Sequence, residues 1–304
     1  MLPAIVLTAG LGTRLDPITR LVAKPAVPVG FRTLIEHVLG WLRTQGVSNV
    51  VLNLHHRPET ITAVLGDGAH LGVHVRYSWE DPILGSAGGP RRALSLLDVG
   101  RVLIVNGDTL CRIALGPMLE FHERTGAAVT VAVMPNPAPD RYNGIVLDEQ
   151  QRVSGVIPKG RATRDTWHFV GVQIVNAGVF SRLADGVPAE SIAGIYLDMI
   201  AEQLGSVRAW PIDVPFVDVG TPRDYLRVAL DYAVADVPER LSGSVIWPDA
   251  RVPQDAELHD CIVAGAVTLP SGFRSTGAVL VPAAVVRPDE KVPTTGQVAV
   301  FPLD

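Results

Sequence analysis

The sequence predicts an α/β fold in which a mostly parallel sheet carries helices on both faces and a short β segment follows at the C-terminus. Three observations predict it. Through roughly the first 135 residues, short apolar and β-branched runs alternate with segments of helical apolar spacing. A glycine-rich loop follows the first apolar run directly. The last 60 or so residues change to a six-residue apolar period. Strands separated by helices of one to three turns are joined by crossovers, which makes them parallel and buries both sheet faces.

Each element follows from local pattern. Residues 4–8 read as a fully buried strand ending at a glycine loop. Residues 33–45 read as a helix, with Ile35, Val38, Leu39 and Leu42 on one stripe, Thr33 and Glu36 as a capping box, and Gly46 as the stop. Strands are expected over 49–54, 73–78, 101–105 and 127–134, with helices over 58–65, 88–97 and 115–125. From 141 to 175 the pattern turns strand-rich, as in a β insertion over the carboxyl edge of the sheet. Helices return over 191–204 and 222–235; Thr221 is placed to cap the second, Pro222 fits its first turn, and Asp224 suits the positive end of its dipole.

In the tail, Ile246, Val252 and Leu258 are six apart, and Val263 and Leu269 repeat the step after a one-residue slip. Such a period suggests a degenerate, left-handed parallel β-helix over 241–304, after a main domain over 1–240. The alternative is a set of irregular strands packed on that domain.

Composition narrows the function. Apolar residues make up 47% and charged residues 19% of the 304 residues, with a net charge of −5, so no global basic field points to nucleic acid. Cys111 and Cys261 match no metal or redox spacing and read as buried thiols. The N-terminus lacks a basic leader, and the apolar run 278–286 is broken by Pro282, so a cytoplasmic protein with no membrane partner is expected. Only three of the 26 basic residues are lysines, Lys24, Lys159 and Lys291, which draws attention to places where a compact charge suits better than a guanidinium fork.

The strongest motif is the opening loop, Leu7-Thr8-Ala9-Gly10-Leu11-Gly12-Thr13-Arg14-Leu15-Asp16-Pro17, followed by Ala23-Lys24-Pro25-Ala26-Val27-Pro28-Val29. Its place after the first strand suits phosphate binding in a Rossmann-like sheet. It is neither a dinucleotide fingerprint, since Leu15 stands where glycine is needed, nor a P-loop, since no Gly-Lys-Ser/Thr follows. Two cations around one glycine loop suit a triphosphate under attack.

This loop resembles that of the sugar-1-phosphate nucleotidyltransferases, GxGxRLxPLT followed by PKPxxPV, and the terminal β-helix pattern adds a resemblance to the mannose-1-phosphate guanylyltransferases. Ile18 and Ala23 depart from the pattern without touching a charge. The resemblance covers about residues 3–235 and implies transfer of a nucleoside monophosphate from a triphosphate to a sugar 1-phosphate, with GTP and a mannose-like sugar favoured over uridylyl or thymidylyl transfer. It implies Arg14 and Lys24 as catalytic cations, with Ala9, Gly10, Gly12 and Thr13 on the nucleotide.

Two aspartates follow apolar runs, Asp108 after residues 102–107 and Asp218 after Phe216-Val217. A strand-end carboxylate lies in the crevice of such a sheet, and the resemblance implies both as ligands of Mg2+. Leu84-Gly85-Ser86-Ala87-Gly88-Gly89 resembles the family's segment along the base, which implicates Gly85 and Gly88. Arg141-Tyr142-Asn143-Gly144 and Ile157-Pro158-Lys159 resemble the sugar-phosphate segments, which implicates Gly144, Lys159 and, further on, Gly171. Pro158 replaces a glutamate that often contacts sugar hydroxyls. Two other readings stand beside the enzyme: a non-catalytic nucleotide-sugar sensor on the same fold, and a C-terminal segment serving homo-oligomer assembly.

Overall fold

The computed structural model describes residues 2–233 and 238–304. The chain divides into two compact units. One comprises Met1–Gly10, Glu36–Pro58 and Leu65–Phe216; the other comprises Leu11–Ile35, Glu59–Val64 and Val217–Asp304.

The first unit is built on a sheet of nine strands among the described residues: β1 (Ala4–Leu7), β2 (Asn49–Leu54), β3 (His74–Trp79), β4 (Arg101–Asn106), β5 (Val129–Pro135), β6 (Gly144–Leu147), β7 (Val153–Ile157), β8 (Trp167–Asn176) and β9 (Val207–Pro211). β3, β2, β1 and β4 lie side by side and parallel. β8 then enters antiparallel between β4 and β5, and β9 adds parallel to β5. The β6–β7 hairpin joins β8 through the Ile145–Trp167 pair. The strand-rich region is therefore no mere cover over the sheet edge. Ten-residue β8, buried over Val170–Val175, has the apolar length of an internal strand and completes the sheet.

Alternate residues of the central strands face opposite ways and both sets are buried, so both faces are covered. On one face Ile5, Val51, Val102, Ile104 and Val131 pack with Ala87 and Ala93 of α3 (Gly85–Ala93) and with Tyr196, Met199 and Ile200 of α5 (Tyr196–Glu202). On the other, His122 of α4 (Leu115–Thr125) meets Thr130 of β5, Nδ1 to Oγ1, at 2.8 Å. Two helices preceding these in the chain, α1 (Leu34–Thr44) and α2 (Pro58–Leu65), fall where periodicity placed them. The helix expected over 191–204 is shorter. Ser191–Ile195 forms a π turn in which Gly194 leaves helical geometry, and regular α-helix starts only at Tyr196.

The second unit joins the signature loop to the C-terminal segment. α6 (Pro222–Asp231) begins at a capping box in which Thr221 and Asp224 satisfy each other's backbone amides; its expected end at Ala235 lies outside the described residues. Beyond it, β10 (Val245–Ile246), β12 (Ile262–Val263) and β14 (Ala278–Pro282) pair in parallel, Val245 with Ile262 and Ile262 with Val279. β11 (Glu257–His259) and β13 (Arg274–Thr276) pair likewise, Glu257 with Arg274, and Arg251 bridges Thr268. Each of these partners is 17 residues on, which is the six-residue period with its one-residue slip. Leu258, Cys261, Val263, Leu269 and Leu280 fill the interior. An antiparallel hairpin, β15 (Thr294–Thr295) and β16 (Val298–Pro302), closes the stack against β14. Cys111 and Cys261 are both buried free thiols, and burial pushes the Cys111 thiol up to about 11.

Candidate active site

Three strand ends position the candidate residues of the first unit. Leu7 of β1 is in register with Asn53 of β2 and Asn106 of β4. The loops after these strands therefore leave the carboxyl edge side by side. The chain proceeds from β1 to β2 on one side while β4 lies on the other, which is the switch point where a doubly wound sheet opens a crevice. The Gly107 amide donates to the Leu7 carbonyl at 2.9 Å. A Cβ on Gly107 would lie 2.7 Å from Thr8 Cγ2, so only glycine lets the two ends approach this closely. Asp108 follows immediately, half-buried, with Thr109 Oγ1 3.3 Å from its Oδ1.

A buried polar chain, invisible to apolar patterning, ties these loops together. The Thr8 amide donates to Asn53 Oδ1 at 2.7 Å, and the Thr8 hydroxyl donates to the Asn53 carbonyl. Asn53 Nδ2 donates to Glu80 Oε1 at 2.7 Å, and Glu80 Oε2 accepts from the Leu84 amide at 2.8 Å. Thr8, Asn53 and Glu80 are at most 4% exposed. The phosphate-loop candidate and the start of α3 thus share one hydrogen-bonded frame. Ala9 is buried, whereas Gly10 is exposed, and a side chain there would meet no protein atom.

Gly85 and Gly88 sit in the first turn of α3, which starts three residues before the expected 88 and gives way to a 3-10 turn at Leu94 before the expected end at 97. The Ala87 and Gly88 amides both donate to the Ala189 carbonyl, at 2.9 and 3.2 Å, and this anchors the turn despite its poor propensity. A Cβ on Gly88 would fall 2.6 Å from the Val187 carbonyl oxygen. What Gly88 admits is therefore protein backbone. Gly171 likewise makes room for Asn106, whose Cγ would lie 2.8 Å from a Cβ there. Gly144 opens β6 opposite Ile157 and abuts Thr166. Lys159 is exposed two residues past Ile157, its amide donating to Asn143 Oδ1 at 2.9 Å, so Gly144 and Lys159 share one hairpin end. Beside them His168 stacks on Tyr142 with ring centroids 4.1 Å apart and meets Phe216 edge-on at 5.0 Å. Burial, aided by Arg141, lowers the His168 pKa to about 4, and its Nε2 is a buried atom without a hydrogen-bond partner.

The second unit carries the cations. Gly12 adopts the left-handed region with φ of 63°, and a Cβ there would lie 2.7 Å from Thr19 Cγ2 and 3.3 Å from Lys24 Cβ. Thr13 and Arg14 follow on an exposed 3-10 turn. Lys24 instead is buried, 7% exposed, with Nζ 3.7 Å from Oδ1 of Asp218. Arg20 was not singled out by motif, yet all three of its guanidinium nitrogens are engaged. It grips Asp16 four residues back and Glu290 far ahead, and this contact holds the Glu290 carboxyl down at about 2.

The chain is similar to known proteins over most of its length. The nucleotidyl transferase family model matches residues 3–234. A mannose-1-phosphate guanylyltransferase of Mycobacterium tuberculosis is 26% identical over 283 residues, 91% of this chain and 79% of the relative. A D-glycero-alpha-D-manno-heptose 1-phosphate guanylyltransferase of Aneurinibacillus thermoaerophilus is 29% identical over 228 residues, 74% of this chain and 95% of its own. Among solved structures, HddC of Yersinia pseudotuberculosis complexed with GMP-PN superposes with a TM-score of 0.64 at 20% identity, covering 76% of this chain and all of its own, a likeness of fold.

Proposed function

Because the chain belongs to the nucleotidyl transferase family, we propose that this sugar-1-phosphate nucleotidyltransferase uses GTP and mannose 1-phosphate or a close relative, releasing pyrophosphate. The observation that carries the reading is the buried Lys24 beside Asp218 behind the glycine loop. A lysine this enclosed costs desolvation unless an anion faces it, and a carboxylate together with substrate phosphate supplies that anion. Guanylyl transfer is favoured over uridylyl or thymidylyl transfer because the relatives above are guanylyltransferases.

The sugar phosphate attacks the α-phosphorus in line and pyrophosphate departs. The nucleophile is already anionic, so no general base is required and the protein's work is alignment and charge neutralisation. Arg14 and Lys24 neutralise charge on the transferred and leaving phosphates. Ala9, Gly10, Gly12 and Thr13 lie along the triphosphate; the open space at Gly10 supports close approach there. Gly85 and Gly88 shape the base subsite through the close packing they allow against Ala189 and Val187, Gly171 and Gly144 shape the sugar-phosphate subsite through Asn106 and Thr166, and Lys159 holds the nucleophile. Asp108 and Asp218 offer hard carboxylate oxygens of the kind magnesium prefers. Magnesium, when bound, supplies Lewis-acid polarisation of phosphate oxygens.

We assign residues 1–240 to the catalytic domain and 241–304 to a degenerate left-handed parallel β-helix, which the 17-residue register supports. No helix among the described residues is long and apolar enough to cross a membrane, and a cytoplasmic location suits a nucleotide substrate. The C-terminal segment serves homo-oligomer contacts in this reading, which light scattering of the chain with and without residues 243–304 would test.

A pyrophosphate-release panel decides the substrates. GTP, UTP, CTP, ATP and dTTP are each paired with hexose and heptose 1-phosphates. GTP with a manno-configured sugar phosphate should give the highest kcat/KM. A higher value for UTP or dTTP with another sugar would overturn the base assignment.

A further inference from the structure

We propose that the Arg20–Glu290 pair is a positioning device for catalysis, through which the C-terminal segment holds the loop carrying Arg14 and Lys24 in its working shape. The inference rests on the reading that these two cations act on the substrate phosphates.

The loop has little backbone order of its own. Between Gly12 and Val27 it consists of three isolated 3-10 turns, Thr13–Leu15, Ile18–Arg20 and Lys24–Ala26. Each is closed by few local bonds, such as Leu15 N to Gly12 O at 2.9 Å and Ala26 N to Ala23 O at 2.8 Å. Single turns of this kind have weak hydrogen-bond geometry and no cooperative length. Burial of Leu15, Ile18 and Val27 and the Ala23 amide's bond to Thr60 Oγ1 at 3.0 Å hold it in part, and the stretch between Arg14 and Lys24 needs a further tie.

Arg20 makes that connection with its whole guanidinium group. Nε donates to Asp16 Oδ1 at 2.7 Å, and Nη2 donates to Asp16 Oδ2. Nη1 donates to Glu290 Oε2 at 2.5 Å and to the Val285 carbonyl at 3.1 Å, while Nη2 donates to Glu290 Oε1 at 2.7 Å. The face of the group lies over Phe301 at 5.2 Å. The two carboxylates do different jobs. Asp16 belongs to the same loop, so its fork on Arg20 sets the loop's internal shape, and its only reach outward is a looser pairing with the exposed Arg287 at 3.7 Å. Glu290 lies 270 residues away and fixes the loop to the C-terminal segment. The side chain of Arg20 is 10% exposed, so the pair is shielded well enough to keep its strength and its geometry. A second tie runs parallel to the first: Trp247 Nε1 donates to Tyr225 Oη at 2.8 Å, and Tyr225 Oη donates to the Pro28 carbonyl at 2.8 Å. Arg14 precedes Asp16 by two residues and Lys24 follows Arg20 by four, so the anchored segment lies between the two cations.

The test uses the full chain with Glu290→Gln, Glu290→Asp and, as a control on an exposed ion pair of the coil, Arg274→Gln. Steady-state kinetics are combined with amide hydrogen exchange over residues 12–27. Glu290→Gln should lower kcat by about tenfold or more, since small misplacement of a catalytic group is costly. The KM for sugar 1-phosphate should stay within about twofold, and exchange should quicken over 12–27 but not over β1, β2 or β4. Glu290→Asp should recover part of the loss, and Arg274→Gln should behave as the unaltered chain. Unchanged kcat and loop exchange in Glu290→Gln would overturn the proposal, and so would a uniform rise in exchange throughout the chain, which marks general destabilisation. If the unaltered chain released no pyrophosphate with any pair, the functional reading would fall. The exchange pattern would then still decide whether Glu290 holds the loop.

Discussion

The two units hold their candidate residues by different means. In the first, Asp108 follows a strand in register with β1, Gly107 hydrogen-bonds across to Leu7, and the side chain of Asn53 only reinforces this frame at Thr8. In the second, Arg14 and Lys24 ride on a loop whose order comes from side chains, Arg20 on Glu290 and Tyr225 on Trp247. A residue at a strand end inherits its place from the ladder and tolerates change in its own side chain. A residue on an irregular loop is only as well placed as the side chains that grip it.

The sharpest way to break that comparison is Asp108→Ala. The ladder should be indifferent to it, so Tm should stay within a few degrees while kcat falls on the order of a thousandfold, about 4 kcal/mol. A large fall in Tm would mean the carboxylate also holds the strand end.

Next in size is an effect of acid on the first unit. His168 is buried and neutral, with its pKa lowered to about 4 from an ordinary 6.5. Between those values the unfolded chain takes up a proton that the folded chain does not, so stability is lost as pH falls from about 6.5 to about 4. The loss approaches about 3 kcal/mol at the lower end. Urea midpoints across this window should fall less steeply in His168→Gln than in the unaltered chain.

Gly107→Ala should cost about 2 kcal/mol, because its Cβ would press on Thr8 Cγ2 and Leu7 O, both held by the ladder. Chemical denaturation measures it. The smallest effect belongs to the other unit. Trp247→Phe removes the donor to Tyr225 and should cost about 1 kcal/mol. Its kinetic consequence should exceed that of a stability loss of the same size placed in the first unit, and a matched β-strand variant such as Ile104→Val, which should cost about 1 kcal/mol, checks the difference when assayed alongside.

Much of the first unit was legible in the sequence because its signals are local. The apolar run of 49–54 and the helical stripes of 58–65 and 115–125 coincide with the observed elements. The six-residue period of the tail reappears as the 17-residue register. Long-range packing was not legible. The start of α3 depends on the Ala189 carbonyl, which lies 102 positions after Ala87. The break at Gly194 depends on a single backbone conformation. Glu80 and Asn53 are polar residues within or beside strand patterns, and nothing in their spacing announces that they bond to each other. Among the site candidates, Lys24 and Asp218 stand in motifs nearly 200 residues apart, and their direct contact was not legible from either motif. The grip of Glu290 on Arg20 has no motif at all, since neither residue belongs to a repeating pattern.

The most direct test of the central claim is to incubate the chain with GTP, mannose 1-phosphate and magnesium and to identify the products by mass. Formation of GDP-mannose and an equal amount of pyrophosphate, abolished in Asp108→Ala, is the predicted result. GTP and sugar phosphate recovered intact, with a comparable panel of nucleotides and sugar phosphates equally unreactive, would contradict it.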